Sequence, residues 1–203
     1  MQLAFSLLHS RRNTTPVREF AIGHSWHIWS SLAASLLICI SLGLPAQQPP
    51  QASSADVQRE AMRKLSFLVG NWSGPATIFR GPGEPLHLTQ TEAVEFKLDG
   101  LVLLIQGMSR DAGGKAQFSA LATIAFDDAS HMYRFRAYND GHYLDTELNV
   151  QDGGFSWGFD AGPAHISNTM HLTGKGEWSE VTEALFGNNP PHRSVDMLLQ
   201  HQP

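Results

Sequence analysis

Residues 68–74 have the sequence Leu68-Val69-Gly70-Asn71-Trp72-Ser73-Gly74, and the spacing of apolar residues changes at this stretch. Before it, Val57, Ala61 and Leu65 recur at the interval of a helix. After it, apolar and polar residues alternate, which is typical of a strand with one buried face. The sequence therefore predicts a short helix over residues 56–68 that leads into the first of several strands.

The alternation is clearest in residues 118–126, where every even-numbered residue is apolar. The same period of two recurs in residues 94–98, 133–138 and 144–150. Turn signals separate these runs at Asp99-Gly100, Gly113-Gly114, Asp127-Asp128, Asp140-Gly141, Gly153-Gly154, Gly162-Pro163, Gly174-Lys175-Gly176 and Gly187-Asn188-Asn189-Pro190. Short alternating runs joined by such turns predict antiparallel hairpins.

Further runs at residues 72–80, 86–98, 101–110, 155–159, 166–172 and 178–185, with the last strand at residues 195–199, bring the total to about ten strands. Closing a sheet of this kind removes both of its exposed edges. The sequence therefore predicts an all-β fold, an up-and-down antiparallel barrel of about ten strands with a short N-terminal helix.

The first 46 residues differ in character from the rest of the chain. Arg11, Arg12 and Arg18 precede an apolar stretch at residues 28–44, which is followed by small residues near Ala46. This order predicts an export signal. The alternative is a retained N-terminal membrane anchor, although about 17 apolar residues fall short of the roughly 20 that span a bilayer. We therefore expect an exported protein, periplasmic or extracellular, with cleavage near Ala46; it would meet a membrane only through this segment if the segment stays uncleaved.

Residues 47–55 are rich in Pro, Gln and Ser and predict a disordered linker. Residues 56–203 are long enough for one domain with a real core. They contain 11 Lys and Arg against 18 Asp and Glu, which disfavours nucleic acid as a partner. The sequence does not determine the oligomeric state.

Catalytic and metal-binding patterns are weak in this sequence. The single cysteine, Cys39, lies in the apolar N-terminal stretch, and the ten histidines include no HExxH motif. Asp145 and Glu147 share one face of a strand about 7 Å apart, which permits a carboxylate pair. A solvated outer face of a barrel explains the same pair, so we expect a protein without catalytic activity or a metal site.

The short helix, the Gly70-Asn71-Trp72-Ser73-Gly74 opening and the hairpin-linked strands together resemble the calycin superfamily, which includes lipocalins and fatty-acid-binding proteins. The closest resemblance is to the nitrobindins and the DUF1579-type secreted domains, over residues 65–200. The resemblance implies a structural role for Gly74 and for Trp72 as a plug at the closed end of the barrel. It also implies a basic residue from a late strand stacked on Trp72, with Arg193 as the candidate and Arg134 and Arg136 as rivals.

The resemblance to nitrobindins also implies a haem ligand at the start of the last strand. His192 follows the loop Gly187-Asn188-Asn189-Pro190-Pro191 and lies close to that place. A solvated loop histidine is the alternative interpretation, and on that interpretation the protein has no cofactor.

A barrel of about ten strands can hold one small apolar or amphipathic ligand. Phe96, Phe118 and Trp157 would line its interior if the apolar faces point inward. Arg134, Arg136 and Tyr138 would line it if their strand turns its polar face inward, and an anionic head would then be held there. If these residues point outward, they form only a charged surface. Three functions follow: a carrier of a small hydrophobic or amphipathic ligand, a nitrobindin-like haem protein acting on nitric oxide, or a barrel filled by its own side chains.

Overall fold

The computed structural model describes residues 53–203. The predicted export segment and most of the predicted linker lie outside these residues. The helix α1 spans Ser54–Arg63. A short 3-10 helix follows at Ser66–Leu68. No helix within residues 53–203 has the length and apolar character needed to cross a membrane.

The start of α1 is capped by Ser53, whose hydroxyl oxygen accepts a hydrogen bond from the Asp56 backbone N–H at 3.2 Å. Met62, at the end of the helix, is fully buried, as are Leu65 and Leu68 just after it. The Tyr133 hydroxyl donates to the Ala61 carbonyl oxygen at 2.7 Å. The helix therefore covers one end of the strands and contributes to their core.

Ten antiparallel strands close into a barrel in which each strand pairs with its neighbours in sequence and the last pairs with the first. They are β1 (Gly70–Ile78), β2 (Leu86–Lys97), β3 (Val102–Arg110), β4 (Ala116–Asp127), β5 (Met132–Asn139), β6 (His142–Gln151), β7 (Gly154–Ala161), β8 (Ala164–Leu172), β9 (Trp178–Phe186) and β10 (His192–Gln202). This confirms the predicted fold class, strand number and N-terminal helix.

The backbone conformation of the turn residues suits the hairpins that connect the strands. In the turn between β5 and β6, Asp140 and Gly141 both have positive φ, 46° and 78°. Two successive residues with positive φ form the turn whose twist matches the flanking strands. Leu98 was predicted to continue the alternation of β2 inward, and that prediction is wrong. It has a φ of 50° in the turn and a 70% exposed side chain.

Two clusters of apolar side chains are buried in the interior. The larger one occupies the helix end and the middle of the barrel and includes Trp72, Trp178, Phe135, Phe155 and Trp157. The smaller one consists of Ile78, Leu88 and Val195, with Leu86 and Phe118 packed against it. The smaller cluster lies at the end of the barrel opposite the helix.

Candidate ligand-binding site

The barrel opens at the end away from the helix, between the loop of residues 79–85 and the loop of residues 187–191. A cavity of about 900 Å³ lies there, which we call the mouth pocket. Its apolar wall consists of Ile78, Phe79, Phe118, Ala184 and Phe186. Its polar lining includes Arg80, Asn189, His192, Arg193 and Ser194.

Aromatic contacts hold the polar side chains of the mouth pocket against its apolar wall. The Arg80 guanidinium lies 5.4 Å from the centre of the Phe118 ring, a cation–π distance. The His192 ring meets the Phe186 ring edge to face, with centroids 6.4 Å apart. Phe118 and His192, both predicted from the sequence as site residues, thus lie in one pocket.

A group of buried polar residues lies deeper in the barrel, and we call it the inner polar layer. Its members are no more than 1% exposed and comprise Gln90, Glu92, Ser109, Asn168, Glu180 and Thr182. On the β2 side, the Ser109 hydroxyl donates to Gln90 Oε1, and Gln90 Nε2 donates to Glu92 Oε1 at 2.7 Å. Burial is the main cause that raises the pKa of Glu92 to about 7, and the charge of Glu180 adds to it.

Glu180 anchors the other half of this layer. Trp178 Nε1 donates to Glu180 Oε2 at 2.8 Å, and Asn168 Nδ2 donates to Glu180 Oε1 at 2.8 Å. Asn168 Nδ2 also donates to Thr182 Oγ1 at 2.9 Å. These residues were not among those predicted from the sequence. The signal was present, because Asn168 interrupts the apolar positions of β8 between Ile166 and Met170.

Trp72 closes the helix end of the barrel, where the resemblance placed a plug. It is 3% exposed, and its Nε1 donates to the Leu68 carbonyl oxygen at 2.8 Å. Gly74 follows on β1, where a Cβ atom would lie 2.1 Å from the Leu198 carbonyl oxygen. Only a residue without a side chain allows β1 and β10 to approach so closely.

The prediction that Arg193 stacks on Trp72 is wrong. In the pairing of β1 with β10, Trp72 faces His201, whereas Arg193 lies beyond the other end of this pairing. Eight residues of strand, about 27 Å, separate Arg193 from His201. Arg193 lines the mouth pocket and pairs with Asp196 at 2.9 Å. His201 packs on Trp72 instead, with ring centroids 4.9 Å apart.

The side chains of Arg134, Arg136 and Tyr138 point outward, because Phe135 and Ala137 between them are buried. Arg134 and Arg136 each bond one oxygen of Asp145, at 2.6 and 2.8 Å. The hydrogen bond from Arg136, and after it the one from Arg134, hold the pKa of Asp145 below its usual range. The sequence left open whether these three residues point into the barrel or away from it. The structure shows that they point away from it and form a charged surface.

Asp145 and Glu147 lie on this same outer face and line a groove of about 1010 Å³ that crosses β5 to β8 and is also lined by the buried Trp157 and Asn168. Glu147 is 3.7 Å from Arg134. Both carboxylates are thus engaged by arginine. Among residues 53–203, no group of three or more His, Cys, Asp or Glu side chains is placed to hold a metal ion.

The two remaining predicted site residues lie inside the barrel. Trp157 is 4% exposed and stacks on Phe135, with centroids 5.1 Å apart. Phe96 is partly buried and packs against the larger apolar cluster. The structure therefore separates the predicted ligand-binding residues into Phe118 at the mouth, Trp157 and Phe96 in the core, and three residues outside.

The overall architecture has a counterpart among solved structures. The chain is similar to the protein in the crystal structure of Rv2717c from M. tuberculosis, with a TM-score of 0.54 and 14% sequence identity. The match covers 70% of this chain and 98% of that one. At this identity, the likeness concerns the fold alone. No protein-family model and no curated protein matches the chain.

Proposed function

We propose that this protein is an exported, non-catalytic barrel that binds one small hydrophobic or amphipathic molecule in the mouth pocket. The observation that carries the proposal is the pocket itself: about 900 Å³, with an apolar wall and a small number of polar groups. Small-molecule sites commonly have this size and composition. The N-terminal segment, in which Arg11, Arg12 and Arg18 precede an apolar stretch, supports the export part of the proposal through its sequence pattern.

The mouth pocket is a better candidate than the outer groove because of what each offers a ligand. At the outer groove, the carboxylates of Asp145 and Glu147 are already paired with Arg134 and Arg136. In the mouth pocket, the rings of Phe79, Phe118 and Phe186 form a concave apolar surface. Covering such a surface with an apolar ligand gains about 25 cal/mol per Å².

Titration with Nile red, a neutral dye that fluoresces in apolar surroundings, tests this proposal. We expect saturable binding of one dye per chain, and displacement of the dye by 1-octanol. Phe118→Ala should weaken dye binding about tenfold, equivalent to about 1.4 kcal/mol. Leu98→Ala is the matched control, because Leu98 is an exposed apolar residue at the helix end.

Thermal unfolding of both variants would show that they are folded. Binding that never saturates, or that Leu98→Ala reduces as much as Phe118→Ala does, would contradict the proposal. Such a result would instead favour a barrel whose interior is filled by its own side chains.

Haem is a second candidate ligand, and one specific observation favours it. His192 lines the mouth pocket beside Phe186, so an imidazole stands on the wall of an apolar cavity. Arg80 and Arg193 in the same lining would suit the two acidic side chains of haem. These residues fit the group, and a bound haem would supply an iron that binds nitric oxide.

A haemin titration distinguishes this candidate. We expect a Soret band that saturates at one haem per chain and shifts or disappears in His192→Ala. His87→Ala is the control, because His87 lies on β2 and contacts Thr77 Oγ1 at 3.3 Å outside the pocket. An unchanged band in His192→Ala would exclude His192 as the ligand.

A further inference from the structure

The barrel wall is split between β6 and β7. The register of these two strands ends at the pair Leu148 and Trp157, although both strands continue beyond it. There the Thr146 hydroxyl donates to the Gly158 carbonyl oxygen at 2.8 Å, so a side chain takes the place of the backbone ladder. All four of these residues line the outer groove. The groove therefore lies over the split.

The outer groove reaches from the surface into the barrel wall. Arg134 and Glu147 line it from outside, whereas Trp157 and Asn168, which are 4% and 0% exposed, line it from the buried side. Trp157 and Asn168 are register partners on β7 and β8. Directly opposed residues of an antiparallel pair have Cβ atoms about 5 Å apart. The two buried side chains therefore lie next to each other on the same face of the sheet.

Both of these side chains retain a hydrogen-bonding atom without a partner. Within residues 53–203, the buried atoms that have no partner include the donor Trp157 Nε1 and the acceptor Asn168 Oδ1. Asn168 Nδ2 already donates to Glu180 and Thr182, so only the oxygen of this amide remains. Buried polar atoms are nearly always satisfied by protein, water or ligand. A donor and an acceptor on neighbouring residues indicate a site for a molecule that carries the complementary pair.

The chemistry of such a molecule follows from this pair. An ammonium group has no acceptor for the indole N–H, and a carboxylate has no donor for the amide oxygen. Either ion would also be buried beside Phe135, whose ring stacks on Trp157, and burying a charge there is costly. At the outer side of the groove, the carboxylates of Asp145 and Glu147 are already paired with arginine. A neutral group with adjacent C=O and N–H satisfies both buried atoms.

We propose that the outer groove is a second binding site, separate from the mouth pocket, for a neutral carboxamide such as a lactam. The carbonyl oxygen of the ligand accepts from Trp157 Nε1, and its N–H donates to Asn168 Oδ1. The apolar part of the ligand contacts Leu148 at the split between β6 and β7. The second site goes beyond the proposed function, because neither Trp157 nor Asn168 lines the mouth pocket.

Titration of the full chain with 2-piperidone, a simple lactam, tests this proposal in proton–nitrogen correlation spectra of the indole groups. We expect the Trp157 Nε1–H signal to move and to saturate. The signal of Trp72 should stay in place, because its indole N–H already donates to the Leu68 carbonyl oxygen at the closed end of the barrel. A nuclear Overhauser effect to the stacked ring of Phe135 identifies the Trp157 signal in the wild type.

A second lactam and two variants make the test specific. N-methyl-2-piperidone keeps the carbonyl group and lacks the donor, so it should bind about tenfold more weakly, because a buried acceptor is left unpaired. Trp157→Phe removes the indole donor and should weaken 2-piperidone binding by a similar factor, measured on the backbone amide signals of β8. Ser167→Ala is the matched control, because Ser167 lines the groove from the outer face of β8. It should leave the affinity unchanged.

The comparison of the two lactams uses the wild type, so the test does not depend on a variant that fails to fold. A Trp157 signal that does not move, or equal affinities for the two lactams, would overturn the second site. Displacement of Nile red by 2-piperidone would place the lactam in the mouth pocket and would likewise overturn it, with the proposed function left standing. Lactam binding at Trp157 without any binding of Nile red would overturn the proposed function and support the second site.

Discussion

Trp72 and His201 face each other across β1 and β10, and their rings meet at right angles with centroids 4.9 Å apart. The contact joins the first strand to the last, at the seam where the barrel closes. Trp72 also packs on Trp178, with centroids 5.7 Å apart. The closed end of the barrel is thus held by aromatic contacts between elements that are far apart in sequence.

We expect His201→Ala to lower the free energy of unfolding by about 1 kcal/mol, the usual value of an aromatic pair. Trp72→Ala should cost about 3–5 kcal/mol, because it leaves a cavity in a buried position. Urea unfolding measures both changes. Gln200→Ala is the control, because Gln200 is the exposed neighbour of His201. If His201→Ala and Gln200→Ala lowered the free energy of unfolding equally, the role given to His201 would be contradicted.

Gly74→Ala should be among the most damaging single-methyl substitutions in the barrel. The added Cβ would lie 2.1 Å from the Leu198 carbonyl oxygen, and neighbouring backbone cannot move away without breaking strand pairing. We expect a loss of about 3 kcal/mol or more in unfolding free energy. Gly83→Ala, where a Cβ meets nothing within 4 Å, should be nearly neutral. Comparable midpoints for the two variants would show that β1 and β10 are less closely packed.

The stability of the barrel should fall as the pH rises from about 4.5 to about 7 because of Glu92. Folding raises the pKa of this carboxyl group from 4.5 to about 7, so the folded state favours the protonated form. Below pH 4.5 this group imposes no penalty. Between pH 4.5 and about 7 the penalty grows, because the unfolded chain ionises and the folded carboxyl does not, and it levels off at roughly 3 kcal/mol.

Unfolding in guanidinium at several pH values measures this dependence. Glu92→Gln should flatten the change between pH 4.5 and 8 and should be more stable than the wild type at pH 8. Glu95→Gln should leave the pH dependence in place. A wild type whose stability does not change between pH 5 and 8 would show that Glu92 is not desolvated as described.

Arg134→Ala should leave ligand affinity in the mouth pocket unchanged. Its side chain points outward and bonds Asp145, and it does not line the pocket. The effect on stability should also be small, because partly exposed ion pairs contribute little. Nile red titration and urea unfolding check the two expectations. A clear loss of dye affinity would place the ligand at the outer groove rather than at the mouth.

The fold could be predicted from local patterns in the sequence. The alternation in residues 118–126 makes a strand with one buried face the favoured conformation, and a signal such as Asp140-Gly141 accommodates the positive φ of a tight hairpin. These features depend on residues close together in the chain, so the sequence alone is sufficient to identify them.

The site depended on relationships that no local pattern contains. Alternation of apolar and polar residues shows that a strand has two different faces. Only the closure of the barrel decided that Arg134 and Arg136 point outward. The register between β1 and β10 placed His201, rather than Arg193, against Trp72. The convergence of Glu92 and Glu180 required strands from opposite ends of the chain to meet in one interior. Local sequence determined the strands and turns of this protein, whereas the tertiary structure decided which side chains face the ligand, because register and burial are set by contacts between distant segments.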